Sequence, residues 1–184
     1  MSALAPVHSV HFYDDHDALI DRLTGVVYSG LLVGNSVLMV CTEEHRLKLV
    51  EALDRLEMDV REHARKGRFA ICDAHQMLAM FMADGLPDPR RFTASVGKLM
   101  SEARKAARSK DQNVTIFGEM VAVLWEAGNK PGAIALEKLW NDTMREQVFH
   151  LHCAYPQWLF GEETAELRQI CELHSHVLGE VAAA

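Results

Sequence analysis

The fold class predicted by this sequence is an α/β three-layer sandwich, built on a mostly parallel sheet of five or more strands, and three observations predict it. Short apolar runs alternate with longer amphipathic stretches along the whole chain, the pattern of βαβ units joined by right-handed crossovers. Some of those runs are apolar at nearly every position, as in Ser36–Cys41 (SVLMVC), which marks strands buried on both faces of a parallel sheet. The 184 residues, 49% of them hydrophobic, suffice for one compact core and are too few for two ordinary ones. The expected unit is a single domain over residues 7–178, with 179–184 as a frayed tail.

Each element has its own signal. His8–Asp14 (HSVHFYD) carries the β-favouring Val10, Phe12 and Tyr13 and predicts the first strand. From Asp17, Ile20, Leu23, Val27 and Leu31 recur on one helical face until Gly30 and Gly34 end the helix. Ser36–Cys41 is the second strand, and Thr42 is placed to cap a helix with Glu43 and Glu44 in its first turn and Leu49, Leu53 and Leu56 on its inner face. Arg68–Asp73 (RFAICD) predicts a third strand, followed by a helix over Ala74–Met82 that Gly85, Pro87 and Pro89 stop.

Phe92, Val96, Leu99, Met100, Ala103 and Ala107 predict one long helix. Asn113–Phe117 (NVTIF) is the fourth strand, with Gly118 and Glu119 at its end, and a helix over about Met120–Ala127 closes at Gly128. Pro131 opens the next helix, whose buried stripe is read as Leu136, Leu139, Trp140 and Thr143. Val148–Tyr155 (VFHLHCAY) is the fifth strand, and Leu167, Ile170, Cys171, His174 and Leu178 predict a last helix, with His174 and His176 as ordinary helix residues.

Composition narrows the function. Nineteen Lys and Arg against twenty-six Asp and Glu leave a net charge of −7, which argues against a surface that neutralises nucleic-acid phosphates or docks on anionic lipid. Met1–Val7 has no basic segment, so no signal peptide is expected, and no apolar stretch approaches the ~20 residues of a membrane span. The expected location is the cytoplasm. The four cysteines, 41, 72, 153 and 171, form no CxxC pair and read as small buried hydrophobes of a reducing compartment.

In such a fold ligands lie outside the carboxyl ends of the strands. The turn after the first strand reads Tyr13-Asp14-Asp15-His16-Asp17, with no glycine, no following lysine and three carboxylates where a phosphate would sit. No GxxxxGK[ST] or GxGxxG occurs elsewhere, and neither a GxSxG elbow nor a Cys/His nucleophile order is present. The sequence predicts neither a conventional NTPase nor an enzyme of these classes.

Four segments, HFYDDHDALIDRL, GLLVGNSVLMVCTEEHRLKLVEAL, IFGEMVAVLWEAGNKPGAIALEKLWN and HLHCAYP, together resemble the MEDS domain, the sensory domain of methanogen and methylotroph regulators related to DcmR. The resemblance covers roughly residues 7 to 160. It implies a RecA/KaiC-like sheet that has lost its phosphate loop, a small and hydrocarbon-like signal, and fusion or pairing with histidine-kinase or DNA-binding modules. No helix-turn-helix or kinase core is visible in the chain, so output is expected through a separate histidine kinase or transcription regulator, with room for a homo-oligomer. No cofactor is named.

The candidate ligand-binding residues are His11, Tyr13, Thr42, Asp73, Glu119, Trp140, Asn141 and Tyr155. Glu119 ends a strand behind Gly118, where its carboxylate could meet a ligand or cap the next helix. His11, Tyr13, Glu119 and Tyr155 are expected to line one pocket, unless the aromatics are core packing. Trp140 and Asn141 lie in the LWN motif, and the tryptophan has a core alternative. Met77, Met80, Phe81 and Met82 offer an adaptable apolar surface, or a plain core stripe. His150 and His152 share a strand face and would be two ligands of a metal or haem, with His8, His11, Glu119 or Asp73 as the third. The expected function is therefore a non-catalytic sensor of a small ligand, with a degenerate nucleotide binder and a metal- or haem-dependent sensor as alternatives.

Overall fold

The computed structural model describes residues 7–56, 58–109, 111, 113–160 and 165–178. Six strands form one sheet, β1 (His8–Tyr13), β2 (Ser36–Cys41), β3 (Phe69–Asp73), β6 (Val114–Gly118), β7 (His150–Pro156) and β8 (His176–Leu178), in the order β3-β2-β6-β7-β1-β8. Every pairing in it is parallel. Strands β4 (Met82–Ala83) and β5 (Leu86–Pro87) make a separate antiparallel hairpin.

Because successive side chains of a strand point to opposite faces, each strand feeds two cores. Tyr13, Val37, Met39, Cys41, Phe69 and Phe117 pack under α1 (His16–Leu32), α2 (Glu43–Asp54) and α3 (Val60–Arg65). Phe12, Leu38, Val40, Ile116, Leu151, Cys153 and Tyr155 pack under the second layer, α4 (Ala74–Phe81), α5 (Pro89–Phe92), α6 (Lys98–Ala106), α7 (Met120–Glu126), α8 (Lys130–Glu146) and α9 (Ala165–Glu172). Full burial of β2 and β6 explains their near-continuous apolar sequence.

Two glycines set the approach of the layers. Gly34, at φ +89°, turns the chain from α1 into β2 where a Cβ would stand 2.9 Å from the Ser109 amide. Gly132, in the first turn of α8, lies so near the β4–β5 turn that a Cβ would be 2.7 Å from the Gly85 carbonyl oxygen. That contact joins two loops, since Asn129 Nδ2 donates to the same carbonyl at 2.7 Å.

Three sequence expectations are corrected. The long helix from Phe92 is α5 and α6 joined through a π-helical turn at Thr93–Gly97. The last helix stops at Glu172, and His176 lies in β8 and not in a helix. The strand is three residues long, too short for any periodicity, and its place is fixed across the fold: Ser175 Oγ accepts from the His8 amide at 3.0 Å and donates to the His8 carbonyl at 2.9 Å. Residues 179–184, read as a tail, lie outside the described residues.

Candidate functional site

Strand β2 leads through α2 and α3 on one face to β3, whereas β6 leads through α7 and α8 on the other face to β7. Their carboxyl ends therefore flank a topological switch point, where open parallel sheets form ligand crevices. Glu119 follows β6 at this point and is 1% exposed. It occupies the N-cap position of α7 yet makes no capping hydrogen bond, because its carboxylate is directed across to β2. There the Thr42 amide donates to Oε2 at 2.8 Å and the Thr42 hydroxyl at 3.4 Å.

The other carboxylate oxygen begins a relay. His45 Nδ1 lies 2.5 Å from Glu119 Oε1, and His45 Nε2 lies 2.6 Å from His16 Nδ1. A carboxylate only accepts, so His45 donates from Nδ1, and in the neutral ring its Nε2 accepts. His16 then donates from Nδ1, and its own Nε2 is left as an acceptor at the outer end. The run passes from buried Glu119 and His45 to half-buried His16.

Local sequence places each member. Asp15 caps α1 by accepting from the amides of Asp17 and Ala18, which sets His16 at the first helical position. Thr42 caps α2 by accepting from the His45 amide, which sets that imidazole in the first turn, above the β2–β6 junction. Tyr13 borders both rings, with centroids 5.6 Å from His16 and 5.8 Å from His45, and half-exposed Trp158 stands 5.7 Å from Tyr13 and 5.4 Å from His16. Burial and the nearby charges of Glu119, Glu126 and Glu44 raise the Tyr13 phenol well above its ordinary value, so it remains a neutral hydroxyl.

Beside this relay, on the other flank of the first turns of α2, is an open cleft of about 410 Å³. Glu43, Arg46, Asp73, Gln76, Met77 and Met80 line it. Asp73 also caps α4, accepting from the Gln76 amide at 2.8 Å. Helix α2 thus presents His45 to Glu119 and Glu43 and Arg46 to the cleft.

The expected single pocket does not form. Phe12 pairs with Tyr155 across β1 and β7, so Tyr155 faces the α7–α9 layer while Tyr13 faces the α1–α2 layer. His11 shares Tyr13's face, with ring centroids 6.4 Å apart. Trp140 is core, packed edge-on against Phe92 and Phe149. Among the predicted residues, Tyr13, Thr42 and Glu119 come together, and Asp73 borders the adjoining cleft.

A second polar centre lies on the opposite face. Glu137 of α8, fully buried, accepts from the Tyr155 hydroxyl at Oε1 (2.8 Å), while its Oε2 lies 3.2 Å from His8 Nε2, 3.4 Å from His174 Nε2 and 3.7 Å from Cys153 Sγ. Burial works to raise the Glu137 carboxyl, but the charges of His174 and His8 outweigh it and hold it well below the carboxylate range. For His174 burial works downward and the Glu137 charge prevails, so its pKa is raised. Burial and Glu137 push the Cys153 thiol and the Tyr155 phenol up.

His150 and His152, the pair that the alternative metal reading names, face the other way from this cluster and join no group of three donors among the described residues. His152 Nδ1 is 2.6 Å from Ser9 Oγ, and its pKa falls to about 4, first through burial. Nor is Cys153 a plain hydrophobe, and His174, beyond the end of α9, is no ordinary helix residue. Asn141 belongs here as well, with its Oδ1 2.9 Å from His8 Nδ1.

Sequence reading missed His16, His45, Trp158, Glu137 and His174. Glu137 left a legible sign: it falls on the buried stripe Ala133, Leu136, Trp140 of α8, in place of the Leu139 assigned to it. A carboxylate on an apolar stripe demands a partner.

The sequence profile of the MEDS domain, the MEthanogen/methylotroph, DcmR Sensory domain, matches residues 7–175. The chain belongs to the MEDS family. Its relay, cleft and buried cluster all lie within the matched span. The MEDS fold here is similar to the crystal structure of an uncharacterized protein from Pyrococcus horikoshii in complex with an unknown peptide, at TM-score 0.67 and 13% identity, over 96% of this chain and 77% of that one. No curated protein matches the chain significantly. No helix among the described residues is long and apolar enough to cross a membrane.

Proposed function

We propose that this MEDS domain is a non-catalytic sensor that binds a small molecule at the carboxyl ends of β2, β3 and β6 and passes the change to a separate regulator, a histidine kinase or a transcription factor. The observation that carries the reading is the Glu119–His45–His16 relay, anchored in the core and ending at the surface beside Tyr13 and Trp158. It ends on an imidazole acceptor, and among the described residues no hydroxyl or thiol hydrogen-bonds His16, so it offers a contact and no activated nucleophile.

The adjoining cleft has the size of a small-molecule site and mixes the sulfurs of Met77 and Met80 with the charged groups of Arg46, Glu43 and Asp73. A compact molecule with an apolar part and a hydroxyl or amine suits it. Helix α2 couples the two: a ligand that shifts its first turn alters the short His45–Glu119 contact. Such a shift requires different affinities for the two positions of α2. The β4–β5 turn at Gly85 and the α7–α8 turn at Gly128, tied by Asn129, are the further moving parts.

The test is thermal unfolding of the purified chain across a panel of small alcohols, amines, carboxylic acids and halogenated hydrocarbons. A stabilising compound is expected whose effect disappears in His16→Ala and Met80→Ser variants that fold normally. If only ATP with Mg²⁺ stabilises the protein, or if the effect survives both substitutions, the reading is wrong.

A further inference from the structure

The second polar centre is closed, and its donors are arranged unlike an ordinary hydrogen-bond network. His8 Nε2, Glu137 Oε2, Cys153 Sγ and His174 Nε2 all lie within 4.8 Å of one another and all four residues are buried. His8 comes from β1, Cys153 from β7, Glu137 from α8 and His174 from the segment between α9 and β8, so the fold converges on this point from four elements.

Hydrogen bonds outside the cluster fix the state of each donor. His8 Nδ1 is 2.9 Å from Asn141 Oδ1, and Asn141 is oriented by donating from Nδ2 to the Leu173 carbonyl at 2.8 Å. The acceptor at Asn141 makes His8 Nδ1 a protonated nitrogen and turns Nε2 inward. His174 repeats the arrangement, its Nδ1 2.7 Å from the Ile170 carbonyl. Its Nε2, fully buried, is aimed at Glu137 Oε2, 3.4 Å away. Tyr155 occupies Glu137 Oε1 and leaves Oε2 for the centre. Two inward imidazole nitrogens and a carboxylate oxygen converge on one point and need positive charge among them, carried either by ring protons or by a metal ion.

The spacings say what kind of charge. In a tetrahedron with zinc-like bonds of about 2.0–2.3 Å, neighbouring donors stand about 3.3 Å apart for nitrogen and oxygen and about 3.6 Å apart where sulfur is one of the pair. Four of the six separations match: 3.2 and 3.4 Å from Glu137 Oε2 to the two imidazoles, 3.5 Å from Cys153 Sγ to His8 Nε2 and 3.7 Å from Cys153 Sγ to Glu137 Oε2, while the two from His174 Nε2 to His8 and Cys153 fall within 4.8 Å. We infer that His8, Glu137, Cys153 and His174 form a tetrahedral site for a divalent, borderline-soft transition-metal ion such as Zn²⁺. On binding, the Cys153 thiol loses its proton to solvent, and thiolate, carboxylate and a dication sum to zero charge in the buried site. All four first positions are taken by protein, which makes the ion structural: it ties the carboxyl-terminal β8 to β1, β7 and α8.

The experiment produces the whole chain in cells supplied with Zn²⁺ or with Co²⁺, washes it with a chelator and counts the metal by elemental analysis. One ion per chain is expected. The Co²⁺ form should show the intense visible bands of tetrahedral cobalt and a near-ultraviolet thiolate-to-cobalt charge-transfer band. A Cys153→Ser variant should lose the charge-transfer band, a Cys72→Ser/Cys171→Ser double variant should keep it, and Asn141→Ala should weaken Zn²⁺ binding about 10–100-fold. A folded wild-type chain without bound metal overturns the inference. So does a Co²⁺ spectrum of octahedral or thiolate-free type in the wild-type chain, which decides the matter even if the Cys153 variant does not fold. Loss of the ion in a folded His150→Ala/His152→Ala variant would likewise move the site to the other face and refute the assignment.

Discussion

The two polar centres have the same ingredients, one buried carboxylate and two imidazoles, arranged to opposite ends. At the switch point the groups form a line, Glu119 to His45 to His16, that starts in the core and finishes beside half-exposed Trp158. Around Glu137 they form a closed shell in which His8, His174, Cys153 and Tyr155 all turn inward. A line transmits a change at its exposed end to a buried anchor. A shell has no exposed end, and its charges are balanced by one another and by what lies at their centre. The line thus reaches solvent at one end, whereas the shell keeps all of its groups inside the fold.

The comparison sharpens most under truncation of the two carboxylates. Glu137→Ala should cost about 3–5 kcal/mol in urea unfolding, because it strands buried His8, His174 and Tyr155. Glu119→Ala should cost less, about 1–3 kcal/mol, since it leaves unpaired the Thr42 amide and His45, and His45 still meets His16. Equal costs for the two would erase the distinction drawn between line and shell. Thr42→Ala removes the α2 cap and a hydrogen bond to Glu119, for about 1 kcal/mol by the same assay.

Smaller effects test the open end. His16→Ala should cost about 0.5–1 kcal/mol, since it removes one hydrogen bond of His45 at the half-buried end of the line, while abolishing the ligand-dependent rise in melting temperature. A stability loss as large as that of Glu119→Ala would show that His16 is structural. Acid should act through histidines outside both centres: burial, then Arg22, lowers the pKa of His11; burial, then Arg68, lowers that of His63; burial lowers that of His150; and burial, then His150, takes His152 down to about 4. Each is favoured neutral in the fold, so its contribution is fully present above the unfolded value of 6.5 and is lost as pH falls through that value toward the folded one. Melting temperature should therefore drop modestly between about pH 7.5 and pH 5.5, and less in a His11→Gln/His150→Gln variant.

Much of the fold was legible because it is written in local periodicity. The buried run of β2, the helical stripe of α1 and the cap at Thr42 were read correctly from neighbouring residues. Strand β8 was not, because three residues carry no period and it pairs with Ser9–His11 of β1, far away along the chain. The same distance rule governed the sites. Glu119, Thr42 and Tyr13 were identifiable as strand-end residues, a local property. Their link to His45 and His16 depends on how α1 and α2 settle beside one another, and Tyr155 was assigned to the wrong face because strand register could not be known.

By itself, then, the amino-acid sequence determined the α/β class, the missing phosphate loop, the strand ends that carry the relay and the family to which the chain belongs, since all of these reside in short segments. The tertiary structure alone decided that Cys153, His8, Glu137 and His174, from four separate stretches of chain, meet within a few ångströms. The physical reason is that a parallel sheet brings distant strands side by side, and the face on which each side chain emerges is set by a register that no local pattern encodes.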